Sequence, residues 1–315
     1  MRETAYAKIN LALHVRGREP DGYHRLETVF AFAEGGDELE VGGPSQDGAL
    51  EVEITGPFAA ALDSSSLPRS GGEGDHAKHG GGVADVTGDS PLHHPPSADG
   101  PPPHACGPGR NLVARAAEAL GEHYGITRGA RLTLGKRLPV AAGIGGGSAD
   151  AAAALRLLVR FWDLPHDPEV LHAIARGLGA DVPACLASRT VRGEGRGDDL
   201  VPVDGSALAG TPVLLVNPGV PVPTGPVFKA WDGVDRGPLG ADLIGRNDLQ
   251  APARTIAPVI GDVLEALAGA RFAQMSGSGA TCFALYDSEA ERDEAQARIC
   301  AAHPDWWTLA SRLRR

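Results

Sequence analysis

The stretch "LPVAAGIGGGSADAAAALRLL", from Leu138 to Leu158, sets a cluster of glycines directly before an alanine-rich segment. Such a cluster costs chain entropy and is kept where backbone must approach something closely, because glycine has no Cβ. Four readings compete. A dinucleotide fingerprint would find its first two glycines in Gly143 and Gly145, but Ser148 stands in place of the third and the stretch lies mid-chain. A Walker A loop needs Gly-Lys-Ser/Thr, and no lysine follows these glycines. A different phosphate cradle fits better. The absent Cβ atoms let an anion reach backbone N–H groups, and a helix starting at or near Ser148 offers unpaired N–H groups and its positive dipole end. The fourth reading is a tight strand-to-helix turn with no ligand.

Around this turn, strands alternate with helices, which points to an α/β or α+β protein. "AYAKINLALHV" and "TVFAFAE" read as strands joined by the polar turn "GREPDGYHRL", with "DELEV" and "LEVEITG" as two more short strands. From about Phe58 to Gly109 the chain becomes rich in Gly, Pro, Ser, His and Asp without apolar periodicity. Such a segment cannot bury enough surface to offset its entropy, and a disordered insertion is expected over 58–109. Its histidines (His76, His79, His93, His94, His104) lack the fixed helical spacing of a metal site. Order is expected again at "NLVARAAEALGEHYG", a helix that Asn111 can cap, followed by the strand "ARLTLGKRLPV". After the glycine turn and its helix come the helix "DPEVLHAIARGLG", a short helix or turn at "ADVPACLAS" and a hairpin at "TVRGEGRGDDLVPV". The second half opens on the buried strand "TPVLLVNPG" and the Pro-rich "VPVPTGPVFKAW". A helix is expected near "RTIAPVIGDVLEALAG", a strand–turn–strand at "FAQMSGSGATCFALYD" and a helix at "SEAERDEAQARICAAH".

Composition narrows the function. A formal charge of −11, from 29 basic and 40 acidic residues, gives no support for nucleic-acid binding. The four cysteines are scattered without CxxC spacing, which fits a reducing cytoplasm and neither a disulfide framework nor a zinc site. The N-terminus carries no signal-peptide pattern and no apolar run approaches the ~20 residues of a membrane span. A cytoplasmic protein acting on a small molecule, without membrane or nucleic-acid partners, is expected. Its oligomeric state is left open.

Three segments taken together are more specific than any one. "AKINLALHV…DGYHRLETVF", "PVAAGIGGGSADAA" and "AQMSGSGATCFALY" resemble, in this order, the three signature motifs of the GHMP kinases. "LGADVPACL" and "NPGVPVPT" bring the resemblance closest to the branch whose acceptor is a methylerythritol carried on cytidine diphosphate. It covers nearly the whole chain outside the insertion. It implies an α+β, two-domain GHMP-kinase fold, with residues 1–205 forming the ATP-binding N-terminal domain and 206–315 the C-terminal one. It implies transfer of the ATP γ-phosphoryl group to the C2 hydroxyl of that acceptor, with Mg²⁺ accompanying ATP.

The resemblance also distributes roles. Lys8 would lie beside the reacting hydroxyl and screen the transferring phosphoryl group. Asp181 would accept or orient the hydroxyl proton; its place before "VPACL" also suits a helix N-cap. Pro139, Val140, Ala141, Ala142, Gly143, Ile144, Gly145, Gly146, Gly147, Ser148 and Ala149 would form the nucleotide cradle. Tyr23, His24 and Phe228 would hold the cytosine between rings and a polar edge. Asn10 would line the reacting end, and Gly277, Ser278 and Gly279 would form a second glycine turn beside phosphates and substrate. No residue is assigned as a metal ligand. The sequence departs from the family at Ala141 and Ala142, where glycine is frequent, and at Asp150, where asparagine is frequent. The aspartate would set a negative charge near the phosphates unless it points away along its helix. Two other readings are a GHMP kinase acting on homoserine, mevalonate or a sugar, against which "DGYH" and "NPGVPVPT" argue, and a nucleotide-binding protein without catalysis, against which the pair Lys8 and Asp181 argues.

Overall fold

The computed structural model describes residues 1–45, 48–62 and 111–315. Strands β1 (Arg2–Arg18) and β2 (His24–Gly43) are long and pair antiparallel along their length. "DELEV" is therefore the far end of β2, not a separate strand, because pairing with β1 carries β2 on through Gly35 and Gly36. The room exists because Gly36 has no Cβ; one would lie 2.0 Å from the Ala5 carbonyl oxygen. β3 (Leu50–Thr55) follows, and Ala59–Leu62 form a single 3-10 turn whose Leu62 packs on the core. The expected insertion thus begins later than Phe58; residues 63–110 lie outside the described ones.

Helix α1 (Leu112–Tyr124) starts where the Asn111 side chain accepts a hydrogen bond from the Val113 N–H at 2.9 Å, and ends at Gly125 in the left-handed region. β4 (Ala130–Gly135) ends before "KRLPV", which is irregular. α2 (Gly146–Phe161) then begins two residues earlier than Ser148, with Gly145 at its N-cap. α3 (Pro168–Leu178) is capped by Asp167, and α4 (Val182–Ala187) is short. β5 (Val191–Gly195) and β6 (Asp199–Pro202) form the expected hairpin.

β7 (Pro212–Asn217) and α5 (Thr224–Lys229) open the second half. The single helix expected near 254–269 is two, α6 (Gln250–Ile256) and α7 (Val259–Ala266), because Pro258 lacks the N–H that would continue α6. β8 (Phe272–Met275), β9 (Cys282–Leu285), α8 (Glu289–Ala302) and β10 (Trp307–Arg312) complete the chain. Among the described residues no helix is long and apolar enough to cross a membrane.

The strands make two sheets. The first runs β3-β4-β2-β5-β6 with β1 along the other edge of β2; the second runs β10-β7-β9-β8. Alternation along β2 explains how they stack. Phe30 and Phe32 point to one face, under the alanines and leucines of α1 and α2, while Val29, Ala31 and Ala33 point to the other. There they meet Val213, Leu215, Phe283 and Leu285 of the second sheet, whose opposite face is covered by α7 and α8. The result is an α+β arrangement of four layers: helices, sheet, sheet, helices. The stretch of β1 from Ala5 to Val15 lies in the middle of it.

Candidate active site

A cavity of about 1070 Å³ opens beside the first sheet, between the glycine turn and α5. Lys8 and Asn10 reach it from β1. The β1–β2 register slips between Tyr6 and Lys8 and again between Asn10 and Ala12, so the segment carrying both side chains is re-aimed relative to its flanks. Lys8 Nζ donates to Asn10 Oδ1 at 3.0 Å, stands 3.1 Å from Asp181 Oδ2, and lies 5.1 Å from the centroid of the Phe30 ring. Asn10 Nδ2 donates to Thr28 Oγ1, which donates to the Ala12 carbonyl. This chain of bonds fixes Asn10 with its oxygen toward the lysine.

Asp181 occupies the N-cap position of α4, yet its side chain makes no capping bond. Its carboxylate goes to Lys8 instead. The lysine side chain is 4% exposed and the aspartate 38%, so the ammonium is held from inside and the carboxylate meets the cavity.

The segment expected to cradle the nucleotide divides into a lining and a support. Ala141, Ala142, Gly143, Gly145, Gly146, Gly147 and Ser148 line the cavity; Pro139, Val140, Ile144 and Ala149 do not. Ile144 is fully buried, and its carbonyl accepts the Lys8 N–H at 3.1 Å. Gly143 cannot carry a side chain, since a Cβ would lie 2.6 Å from the Ser276 carbonyl oxygen and 2.7 Å from that of Gly279. The second glycine turn thus packs backbone to backbone on the first. Ser276 Oγ donates to the Gly143 carbonyl at 2.9 Å and accepts the Asn10 N–H at 3.2 Å, while the Thr281 N–H donates to the Ala142 carbonyl. Asn247 Nδ2 donates to the carbonyls of Met275 and Gly277, and Gly277 and Ser278 line the cavity. Gly279 supports from behind, outside the lining.

Asp150 does not face the cavity. It is buried, and its carboxylate pairs with Lys136 at 2.7 Å, so the charge expected near the phosphates is directed inward and countered. Ala141 departs from glycine at a cost: its φ is +54°, a left-handed conformation that an alanine adopts reluctantly.

At the other end stand the rings. His24 and Phe228 have centroids 5.0 Å apart, and Trp231 meets His24 edge-on at 5.7 Å. Burial, with help from Arg18, lowers the His24 pKa, which keeps the imidazole neutral at pH 7 with one donor and one acceptor nitrogen. Tyr23 is 57% exposed and carries the Arg196 guanidinium 3.9 Å above its ring. Arg196 in turn pairs with Asp21. Sequence reasoning passed over Arg196, Thr28, Ser276 and Asn247. Ser276 lies inside a quoted motif and was within reach; Arg196 sits in a hairpin tip, where a charged residue is unremarkable.

Comparison with known proteins follows the same lines. A 4-diphosphocytidyl-2-C-methyl-D-erythritol kinase of Rhizorhabdus wittichii is 49% identical over 99% of this chain and 94% of its own. The GHMP kinases N terminal domain family matches residues 111–189, and the GHMP kinases C terminal family residues 238–305. This chain belongs to the GHMP kinases. A second relative of the same name, from Sphingopyxis alaskensis, is 48% identical over 100% of this chain and 99% of its own. A solved 4-(cytidine 5'-diphospho)-2C-methyl-D-erythritol kinase superposes over the full length of both chains with a TM-score of 0.73 at 29% identity. The mevalonate kinase of Methanococcus jannaschii, at 9% identity and a TM-score of 0.64, shares the fold. In this GHMP kinase all three signature segments meet at the cavity, joined there by the segments that carry Asp181 and Phe228.

Proposed function

We infer that the protein transfers the γ-phosphoryl group of ATP to the C2 hydroxyl of 4-diphosphocytidyl-2-C-methyl-D-erythritol, giving the 2-phosphate and ADP, a step of the non-mevalonate route to isoprenoid precursors. The observation that carries this reading is the meeting of Lys8 and Asp181 between a glycine cradle and a group of aromatic rings, in a chain 49% identical to a kinase of that name. Phosphoryl transfer is largely positioning and charge stabilisation, and the site supplies both.

The N–H groups of the 141–148 turn and the start of α2 receive the phosphates. Asp181 orients the acceptor hydroxyl and takes its proton late, when the forming P–O bond has made the oxygen acidic; a free carboxylate, with a pKa of about 4, is too weak a base earlier. Lys8 stays bonded to Asp181 and Asn10 and screens the charge passing between the oxygens. Neutral His24 can bond the polar edge of a cytosine that stacks on Phe228 or Tyr23. Arg18 and Lys229 also line the cavity and form no ion pair among the described residues, which suits a diphosphate. Among the described residues no group of three or more His, Cys, Asp or Glu could hold a metal ion. The Mg²⁺ of the reaction would come on the ATP phosphates with much of its water, next to Ser148. Residues 1–205 and 206–315 serve as the two domains, and the cytoplasm is the place of action.

Incubation with ATP, Mg²⁺ and the cytidylylated acceptor, followed by phosphorus NMR, tests the reading. A new phosphomonoester resonance on the acceptor with stoichiometric ADP is expected. ADP formation without it, or equal phosphorylation of homoserine or mevalonate, overturns it.

A further inference from the structure

We propose that Asp37, Lys136 and Asp150 form a buried anchor that sets the position of the phosphate-binding turn, so that nucleotide affinity depends on three residues that do not line the cavity. The proposal rests on the nucleotide half of the reading above and is independent of the acceptor.

The three side chains belong to the three elements that frame the turn. Asp37 is on β2, Lys136 follows β4 at the entry to the turn, and Asp150 is in the early part of α2 at its exit. Lys136 Nζ donates to Asp37 Oδ2 at 2.5 Å and to Asp150 Oδ2 at 2.7 Å. The other Asp37 oxygen accepts the N–H groups of Arg137 at 2.5 Å and Leu138 at 2.7 Å, the two peptides leading into the turn. Lys136 is itself held by its backbone, its N–H on the Thr55 carbonyl and its carbonyl on the Phe58 N–H. The ammonium lies against the backbone of α2: a Cβ on Gly146 would come within 3.1 Å of Nζ. Asp37 ties the entry of the turn to the sheet, and Lys136 ties that entry to the helix at the exit.

All three groups are essentially removed from solvent. Burying a carboxylate–ammonium–carboxylate set is expensive, and an apolar trio of equal volume would be no less stable. Apolar side chains cannot supply direction. Two hydrogen bonds to consecutive peptide N–H groups fix the planes by which the chain enters the turn, and the lysine fixes its distance from the helix that leaves it. Position matters here because a donor displaced by about an ångström forfeits much of its effect on a bound group. Burial pushes the Asp150 carboxyl up to about 7, Lys136 opposing and Asp37 adding to the rise. Burial also works to lower the Lys136 pKa, but the two carboxylates outweigh it and raise it. The ammonium is thus the fixed charge of the set.

The test is calorimetric titration of the full chain with ADP and, separately, with CDP. Asp37→Ala unhooks both peptides and is expected to raise the ADP dissociation constant at least tenfold, with CDP within about twofold. Asp37→Asn keeps an acceptor for the two N–H groups but turns its NH2 toward the Lys136 ammonium, and should recover part of that loss. The double variant Lys136→Met with Asp150→Asn preserves both shapes and the formal charge of the set while cutting the link to α2; a loss of fivefold or more for ADP alone is expected. It also carries the test if Asp37→Ala shows no cooperative melt. ADP binding within twofold of the parent in either folded variant, equal losses for ADP and CDP, or no recovery in Asp37→Asn would overturn the proposal. A parent chain that binds ADP but not CDP would refute the acceptor assignment and leave the ADP comparison intact.

Discussion

Lys8 and Asp181 meet in a 3.1 Å ion pair, although Asp181 stands where its carboxylate could have capped α4. The capping bond is not made, so the charge of Asp181 is free for chemistry. Asp181→Asn and Lys8→Met are each expected to lower turnover by roughly a hundredfold or more, within the ~10²–10⁴ of positioned proton-transfer groups. The double variant should lose less than the product of the two, because groups acting as a unit are not additive. The thermal midpoint of Asp181→Asn should move by a few degrees at most. Near-normal turnover in a folded Asp181→Asn chain would remove the aspartate from the mechanism.

Ala141 holds a φ of +54° in the turn. Replacing it with glycine removes a left-handed strain of about 1 kcal/mol, partly offset by the greater freedom of glycine in the unfolded chain. Ala141→Gly should leave thermal stability equal or slightly higher and turnover within about threefold. A clear loss of stability would show that the methyl group packs usefully.

The Arg196 guanidinium lies on the exposed ring of Tyr23 and is tied to Asp21. Such contacts are worth about 0.5–1 kcal/mol at exposed sites. Arg196→Ala should raise the acceptor KM by about threefold to fivefold and leave the ATP KM unchanged. Phe228→Ala removes a stacking face and should raise it by about tenfold to a hundredfold. Equal effects on both substrates would misplace the rings.

Asp150 gives a pH signature. Its folded carboxyl titrates at about 7, pushed up first by burial, whereas an unfolded one titrates near 4. Between those values the folded state holds the proton and the unfolded state does not, so stability falls as pH rises from about 4 to about 7 and levels off above. Asp150→Asn abolishes this dependence. The difference in melting temperature, variant minus parent, should be larger at pH 8 than at pH 5; no change, or the reverse, would show that Asp150 stays ionised throughout.

Much of this architecture was legible because it rests on local signals. The Asn111 cap, the alternation of β2 and the glycine turn need only neighbouring residues to be recognised. What escaped depends on distant partners. The length of β2 follows from its pairing with β1, and β10 was passed over because Trp307–Ala310 are half-buried throughout and show no clean alternation. The Asp150 side chain could be placed only once Lys136 and Asp37 were seen beside it. Ser276 bonds Gly143 and Asn10 from the far end of the chain, and no spacing announces that.

The order of assembly carries a consequence for synthesis. β1 pairs with β2 soon after both are made, but other partners follow 233 residues or more later: Leu13 bridges to Asn247, the Val15 N–H reaches Asp248, and the Asn10 N–H reaches Ser276. Until the second sheet emerges, the row formed by Ala7, Ile9 and Leu11 lacks the cover of Val213, Leu215, Phe283 and Leu285, and a partly covered apolar surface draws incomplete chains into aggregates. A nascent chain stopped before Ser276 would hold Lys8, Asp181 and the whole glycine cradle, yet the backbone contacts that brace the cradle would be missing. Phosphotransfer by this protein is therefore a property of the finished chain, and truncation products should be silent and sticky rather than partly active.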